Sequence, residues 1–184
     1  MKELLQICTR NFIYIVNDKE NLKIVDFIAE KMIDANVQIQ KVAIQILALH
    51  FISAKSTFKF SQVFFNNFWV MIKHKNPDIR ALSLNCAFYI SKEESKVFKL
   101  LVAALAENSE DVKQDVAGVV LKLMTTDKKF LKSFDLAGSV ESILTLLLSK
   151  KSILRVEGEK LLQLLLTHFE KKDFANYIAK KDLN

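Results

Sequence analysis

The chain has 184 residues and a net charge of +6, from 27 Lys and Arg against 21 Asp and Glu. Half of it is apolar (51%) and a quarter is charged (26%), which excludes a disordered chain. Three glycines and one proline are too few for sheets joined by tight turns, so the composition points to an all-helical protein.

A chain of this length should bury roughly 70% of its unfolded surface, enough for one domain with a sizeable core. The reading is a single helical domain over residues 1–184, expected to be a fragment of a longer protein. The two cysteines, Cys8 and Cys86, stand far apart in apolar, helix-like contexts and read as reduced, buried thiols. That excludes a disulfide framework and suggests an intracellular compartment. No apolar run reaches the ~18 residues that span a membrane. Lys2, Glu3 and Arg10 leave no room for a signal-peptide core. The expectation is a soluble protein of the cytosol or nucleus, with no membrane partner. A charge of this size permits an acidic partner without requiring nucleic acid.

In chain order, the first periodic stripe is Leu5, Thr9, Phe12, Ile13 and Val16. A helix is expected over 20–34, followed by a second stripe at Ile39, Ala43, Ile46 and Leu47. After a connection at 53–60 comes a helix over 61–74, where Val63, Phe64, Phe68, Met71 and Ile72 have core spacing. Phe58, Phe60 and Phe65 are the aromatics left over for a partner.

The stretch "NPDIRALSLNCAFYI" then opens with Asn76 as N-cap and Pro77 at the first helical position, where a missing N–H costs nothing. Its stripe is Ile79, Ser83, Cys86, Ala87 and Ile90. A helix over 93–107 leads to Val112, Val116, Val119, Val120 and Leu123. The polar stretch 125–135 reads as a connection. A helix over 137–149 leads to Leu154, Gly158, Leu161, Leu162 and Leu165, and a short helix over 172–181 follows.

With Leu5, Ile39, Ile79, Val112 and Leu154 taken as position zero, the stripe recurs at spacings of 34, 40, 33 and 42 residues. A period in this range is the mark of a solenoid. Position +4 holds Thr9, Ala43, Ser83, Val116 and Gly158, all small or compact. Such a position lets another helix pass close, and the expectation is stacking against equivalent helices of neighbouring repeats.

This pattern resembles the HEAT/armadillo superfamily. "NPDIRALSLNCA" is similar to the second helix of a HEAT repeat, and "FDLAGSVESILTLLLSKKSILRVEGEKLLQLL" (134–165) to an armadillo repeat. The resemblance implies an all-α, right-handed ARM/HEAT α-solenoid of about four and a half repeats. It carries no catalytic motif and names no partner. "DANVQIQKVAIQIL" (34–47) also resembles tubulin-binding TOG domains, which bind through the turns between paired helices. That resemblance implies a site on those turns: Asn36 in the first, Lys73, Lys75 and Arg80 in the second, Lys113 in the third, and Lys150, Lys151 and Arg155 in the fourth. Two departures stand out. The third turn, "ENSEDV", is acidic apart from Lys113, and the only tryptophan, Trp69, lies inside a helix rather than in the first turn.

The basic residues have plainer readings beside this one. Arg80 and Arg155 fit a role bonding neighbouring repeats, and lysines near helix C-termini are favoured by the helix dipole alone. His50, His74 and His168 are scattered, without Cys, His or carboxylate at metal-ligand spacing. There is no glycine-rich phosphate loop and no nucleophile elbow. Glu157 and Glu159 are two apart and point to different faces. The sequence therefore predicts a non-enzymatic scaffold without cofactor or metal. Its expected partner is an acidic protein, held through the basic turns or the inner helix face. Tubulin, with a cytoskeletal, centrosomal or ciliary location in the cytoplasm, is the first alternative. A nucleic-acid clamp is the second. Because the chain opens in the second helix of a repeat, an apolar flank near Leu5, Phe12 and Tyr14 is expected to be uncapped, making the protein a monomer or self-associating through its ends.

Overall fold

The computed structural model describes residues 18–53, 60–132, 134 and 136–169. The first predicted stripe and the short helix over 172–181 lie outside them. All regular structure among the described residues is helical. In order it is α1 (Asp18–Met32), α2 (Val37–Ser53), α3 (Gln62–Ile72), α4 (Pro77–Ile90), α5 (Ser95–Ala104), α6 (Glu110–Thr126), α7 (Lys129–Lys132), α8 (Leu136–Leu147) and α9 (Ser152–His168). No helix among them is long and apolar enough to cross a membrane. The chain forms two compact units, divided between Val97 and Phe98.

In the first unit α1 packs against α2 and α3, and α4 packs against α2 and α3. Polar ties fix where the helices begin. Ser61 caps α3 by accepting from the Phe64 N–H at 3.2 Å, and its hydroxyl donates to the Asp26 carboxylate on α1. The Asn67 amide donates to the Ala29 carbonyl at 3.0 Å, joining α3 to α1 a second time. Asn76 caps α4 as expected, accepting from the Asp78 N–H at 2.9 Å, with Pro77 at the first position. Phe64, Phe68, Met71 and Ile72 fill the core beside Leu47, Ile79 and Ile90. Each such side chain contributes about 1.5–3 kcal/mol through burial.

Two expectations for α3 fail. Val63 was expected inside and is 46% exposed, whereas Phe65, expected to be left over for a partner, is 6% exposed. Phe64 and Phe65 lie edge to face at 5.4 Å, and the Lys96 ammonium sits 5.2 Å from the Phe65 ring centre. Phe60 is half-buried against both rings. Phe58 is outside the described residues.

In the second unit α9 packs against α6 and α8, and the short α7 packs against α6. Stretch 125–135, expected as a plain connection, contains α7, with Phe130 and Leu131 buried. Phe130 and Phe134 approach Phe98 at 4.9 and 6.4 Å. Its lysines point to solvent and conceal this apolar pair in the sequence.

Position +4 of the stripe is buried wherever it is described, at Ala43, Ser83, Val116 and Gly158. Ser83 meets its buried hydroxyl's need by donating to the Ile79 carbonyl at 2.8 Å. No described glycine has a positive φ, so Gly158 is not there for its backbone freedom. A Cβ on it would lie 3.1 Å from Leu146 Cβ and 3.2 Å from Leu147 N. The helix that comes close is therefore α8, the partner just before it in the chain. This corrects the expectation that Gly158 would face equivalent helices of neighbouring repeats.

Candidate functional site: the turn edges

The turns between paired helices share a local construction. In the first, the Asp34 carboxylate accepts from the Asn36 N–H at 2.8 Å, and the Gln40 amide donates to the Asp34 carbonyl at 2.7 Å. In the second, His74 Nδ1 accepts from the Asn76 N–H at 3.0 Å, and the Arg80 guanidinium donates to the His74 carbonyl at 2.8 Å. In the fourth, Ser149 Oγ accepts from the Lys151 N–H at 3.1 Å, and Arg155 donates to the Ser149 and Lys150 carbonyls at 2.9 and 3.0 Å. Each time a polar residue receives the N–H two residues on, while its carbonyl receives the side chain six residues on. The side chain at position +1 thus closes its own turn. These bonds of Arg80 and Arg155 run within one turn, not between repeats.

Within each unit, a lysine–aspartate pair joins two successive turns. Lys41 donates to Asp78 at 2.9 Å in the first unit, and Lys151 to Asp111 at 2.6 Å in the second. Asp78 and Asp111 occupy the same place, one residue before position zero. The hydrogen bond that Lys151 donates to Asp111 is the main cause that raises the Lys151 pKa. Ser149 also donates to Glu110 at 2.7 Å. The two lysine–aspartate pairs are exposed and set geometry more than stability.

The predicted residues divide accordingly. In the first unit Asn36 and Lys75 are exposed. Lys73 lies over the half-buried Trp69 indole of α3, 3.8 Å from its centre. Arg80 is 6% exposed, so its guanidinium is part of the turn rather than of a surface offered to a partner. In the second unit Lys150 and Arg155 are exposed, Lys113 is half-buried, and Lys151 is held by Asp111.

Sequence reasoning missed the apolar side chains of the same edges. Ile33 is 48% and Val37 39% exposed beside Asn36, and Leu148 is 84% and Ile153 46% exposed beside Lys150. Ile33 and Leu148 both stand six residues before position zero, just ahead of the turn. Their signal was an aliphatic residue outside the stripe at the end of a helix. An edge of this kind, aliphatic with separate cations on a fixed backbone, can take a protein surface. No group of three His, Cys, Asp or Glu among the described residues could hold a metal.

No family model and no curated protein matches the chain. Three crystal structures of engineered proteins are similar to it at 15%, 15% and 16% identity, with TM-scores of 0.48, 0.47 and 0.47. The matches cover 77%, 78% and 77% of this chain and 62%, 64% and 37% of theirs. The chain thus spans less than two thirds of the length of each, and a likeness at this level carries no argument for fold or function.

Proposed function

We propose that this chain is a non-enzymatic protein-binding scaffold, an α-solenoid of the ARM/HEAT kind, which holds a protein partner on the turn edges of its paired helices. The observation that carries this reading is the repeated turn. The Asp34–Gln40, His74–Arg80 and Ser149–Arg155 closures give three turns a common, fixed backbone. Beside them stand exposed Ile33, Val37, Leu148 and Ile153 and the cations Lys75, Lys150 and Arg155. Pre-set backbones lower the entropy lost on binding. The cations favour an acidic partner, and the protein is assigned to the cytoplasm. The test is affinity capture from cell extract with quantitative mass spectrometry, comparing the parent with Lys73→Glu/Lys75→Glu/Arg155→Glu. Specific partners should fall at least tenfold in the variant. Equal recovery would move the site to the inner helix face.

Tubulin is the second reading, favoured by the exposed Asn36 and Lys75 at the first two turns, while Trp69 stays inside α3 and does not supply a first-turn aromatic. It would place the protein on the cytoskeleton, at a centrosome or in a cilium. Light scattering after size exclusion with αβ-tubulin at low salt tests it. A stable one-to-one complex supports it, and separate elution at tens of micromolar removes it.

A further inference from the structure

The three closed turns use different chemistry at the same place. Asp34, His74 and Ser149 each stand five residues before position zero. Each accepts the N–H two residues on, at 2.8, 3.0 and 3.1 Å. A carboxyl group keeps an acceptor oxygen with or without a proton, and a hydroxyl keeps its own. An imidazole nitrogen does not. His74 Nδ1 accepts through its one lone pair, and a proton taken up there sets it against the Asn76 N–H, donor to donor.

More than this bond depends on the ring. Asn76 caps α4 by accepting from the Asp78 and Ile79 N–H groups at 2.9 and 3.4 Å, and the His74 carbonyl holds Arg80 at 2.8 Å. Charge on the half-buried imidazole would join Lys73 and Lys75, its neighbours in the chain, and Arg80 of α4. The carboxylates of the two joined turns are engaged, Asp78 by Lys41 of α2 at 2.9 Å and Asp34 by the Asn36 N–H.

We propose that the second turn is a proton-operated latch, closed while His74 is neutral and opened when its imidazole takes up a proton and releases Asn76 from Nδ1. Histidine is the side chain whose charge changes between about pH 5 and 8. Proton binding at Nδ1 and closure exclude each other, so closure is complete at higher pH and is lost as pH falls. Opening would loosen the cap of α4. It would also withdraw the edge at Lys73 and Lys75 from a partner, a consequence that rests on the docking function proposed above.

Amide exchange of the free chain, corrected for the intrinsic rate at each pH and read by mass spectrometry, tests the latch apart from any partner. From about pH 7.5 to 5.5, protection of peptides covering 74–80 should fall at least fivefold in the parent, while peptides covering 34–40 and 149–155 keep theirs. In His74→Asp and His74→Ser, which copy the first and fourth turns, it should be the same at both pH values. Long-range proton–nitrogen NMR should show that Nδ1 is the bare nitrogen of His74 at the higher pH. A proton on Nδ1 there, no fall in the parent, an equal fall at all three turns, or the same fall in both variants would each overturn the proposal. The fall in the parent alone upholds the latch. If a captured partner is then held equally at both pH values, the docking function of this turn is what fails.

Discussion

Gly118 and Gly158 lie on helices that pack together, and replacing each with alanine should have opposite effects. An interior helical glycine costs about 1 kcal/mol against alanine, so either change starts with a gain of that order. At Gly118, on α6, the new Cβ would meet only Glu157 Oε1, at 4.0 Å, which is ordinary contact. The gain survives, and Gly118→Ala should stabilise by about 0.5–1 kcal/mol. At Gly158 the Cβ would lie 3.1 Å from Leu146 Cβ and 3.2 Å from Leu147 N. Those atoms belong to the α8 backbone or are fixed to it, and a rotamer change cannot move them. Helices α8 and α9 must part by a few tenths of an ångström, and overpacking of this kind costs about 1–3 kcal/mol. Gly158→Ala should therefore destabilise by about 1 kcal/mol net. The pair would differ by about 3–8 °C in Tm for a chain of this size. Urea unfolding followed by circular dichroism measures both. If Gly158→Ala stabilises as much as Gly118→Ala, the close approach of α8 is not what keeps position 158 free of a side chain.

Arg80→Met removes a charged donor from a buried turn and should cost about 1.5–3 kcal/mol in urea unfolding. Arg155→Met, at an exposed turn, should cost clearly less, and equal losses would contradict the difference in burial. Burial raises the Glu157 pKa above the ordinary glutamate value, Asp115 adds to the rise, and Lys160 opposes it. Its Oε2 has no hydrogen-bond partner among the described residues. A raised folded pKa means a contribution to stability that is complete below the unfolded value and is lost as pH rises through the folded one. Glu157→Gln should therefore stabilise relative to the parent more at pH 7 than at pH 4, and an equal difference at both would refute the assignment. Burial also pushes the Cys86 thiol up, and its side chain is fully covered. A thiol reagent should modify Cys86 only after unfolding, and rapid labelling of the native chain at that residue would contradict its placement.

The helices and the +4 positions were legible because they follow from spacing alone. Ala43, Ser83, Val116 and Gly158 are each buried as the 3.6-residue period requires. Which helix approaches them was not legible, since α8 and a neighbouring repeat's helix make the same demand for a small residue. Val63 and Phe65 exchanged their expected roles because α3 has aromatics on more faces than the core needs, and periodicity cannot choose among them. The basic residues of the turns were recognisable as turn residues. Their partners were not: Lys151 meets Asp111 across 40 positions of sequence, a distance no local pattern spans. Arg80 and Arg155 looked alike in sequence, yet only Arg80 is buried.

The turn edges are where the proposed partner lands. The most direct test is hydrogen exchange on the chain alone and in complex with the partner most strongly captured from extract. Binding should slow exchange in peptides covering 33–37, 73–76 and 148–153, leaving the middles of α2, α4, α6 and α9 unchanged. Slowing confined to those helix middles, with the turns unaffected, would contradict it and assign binding to the inner face.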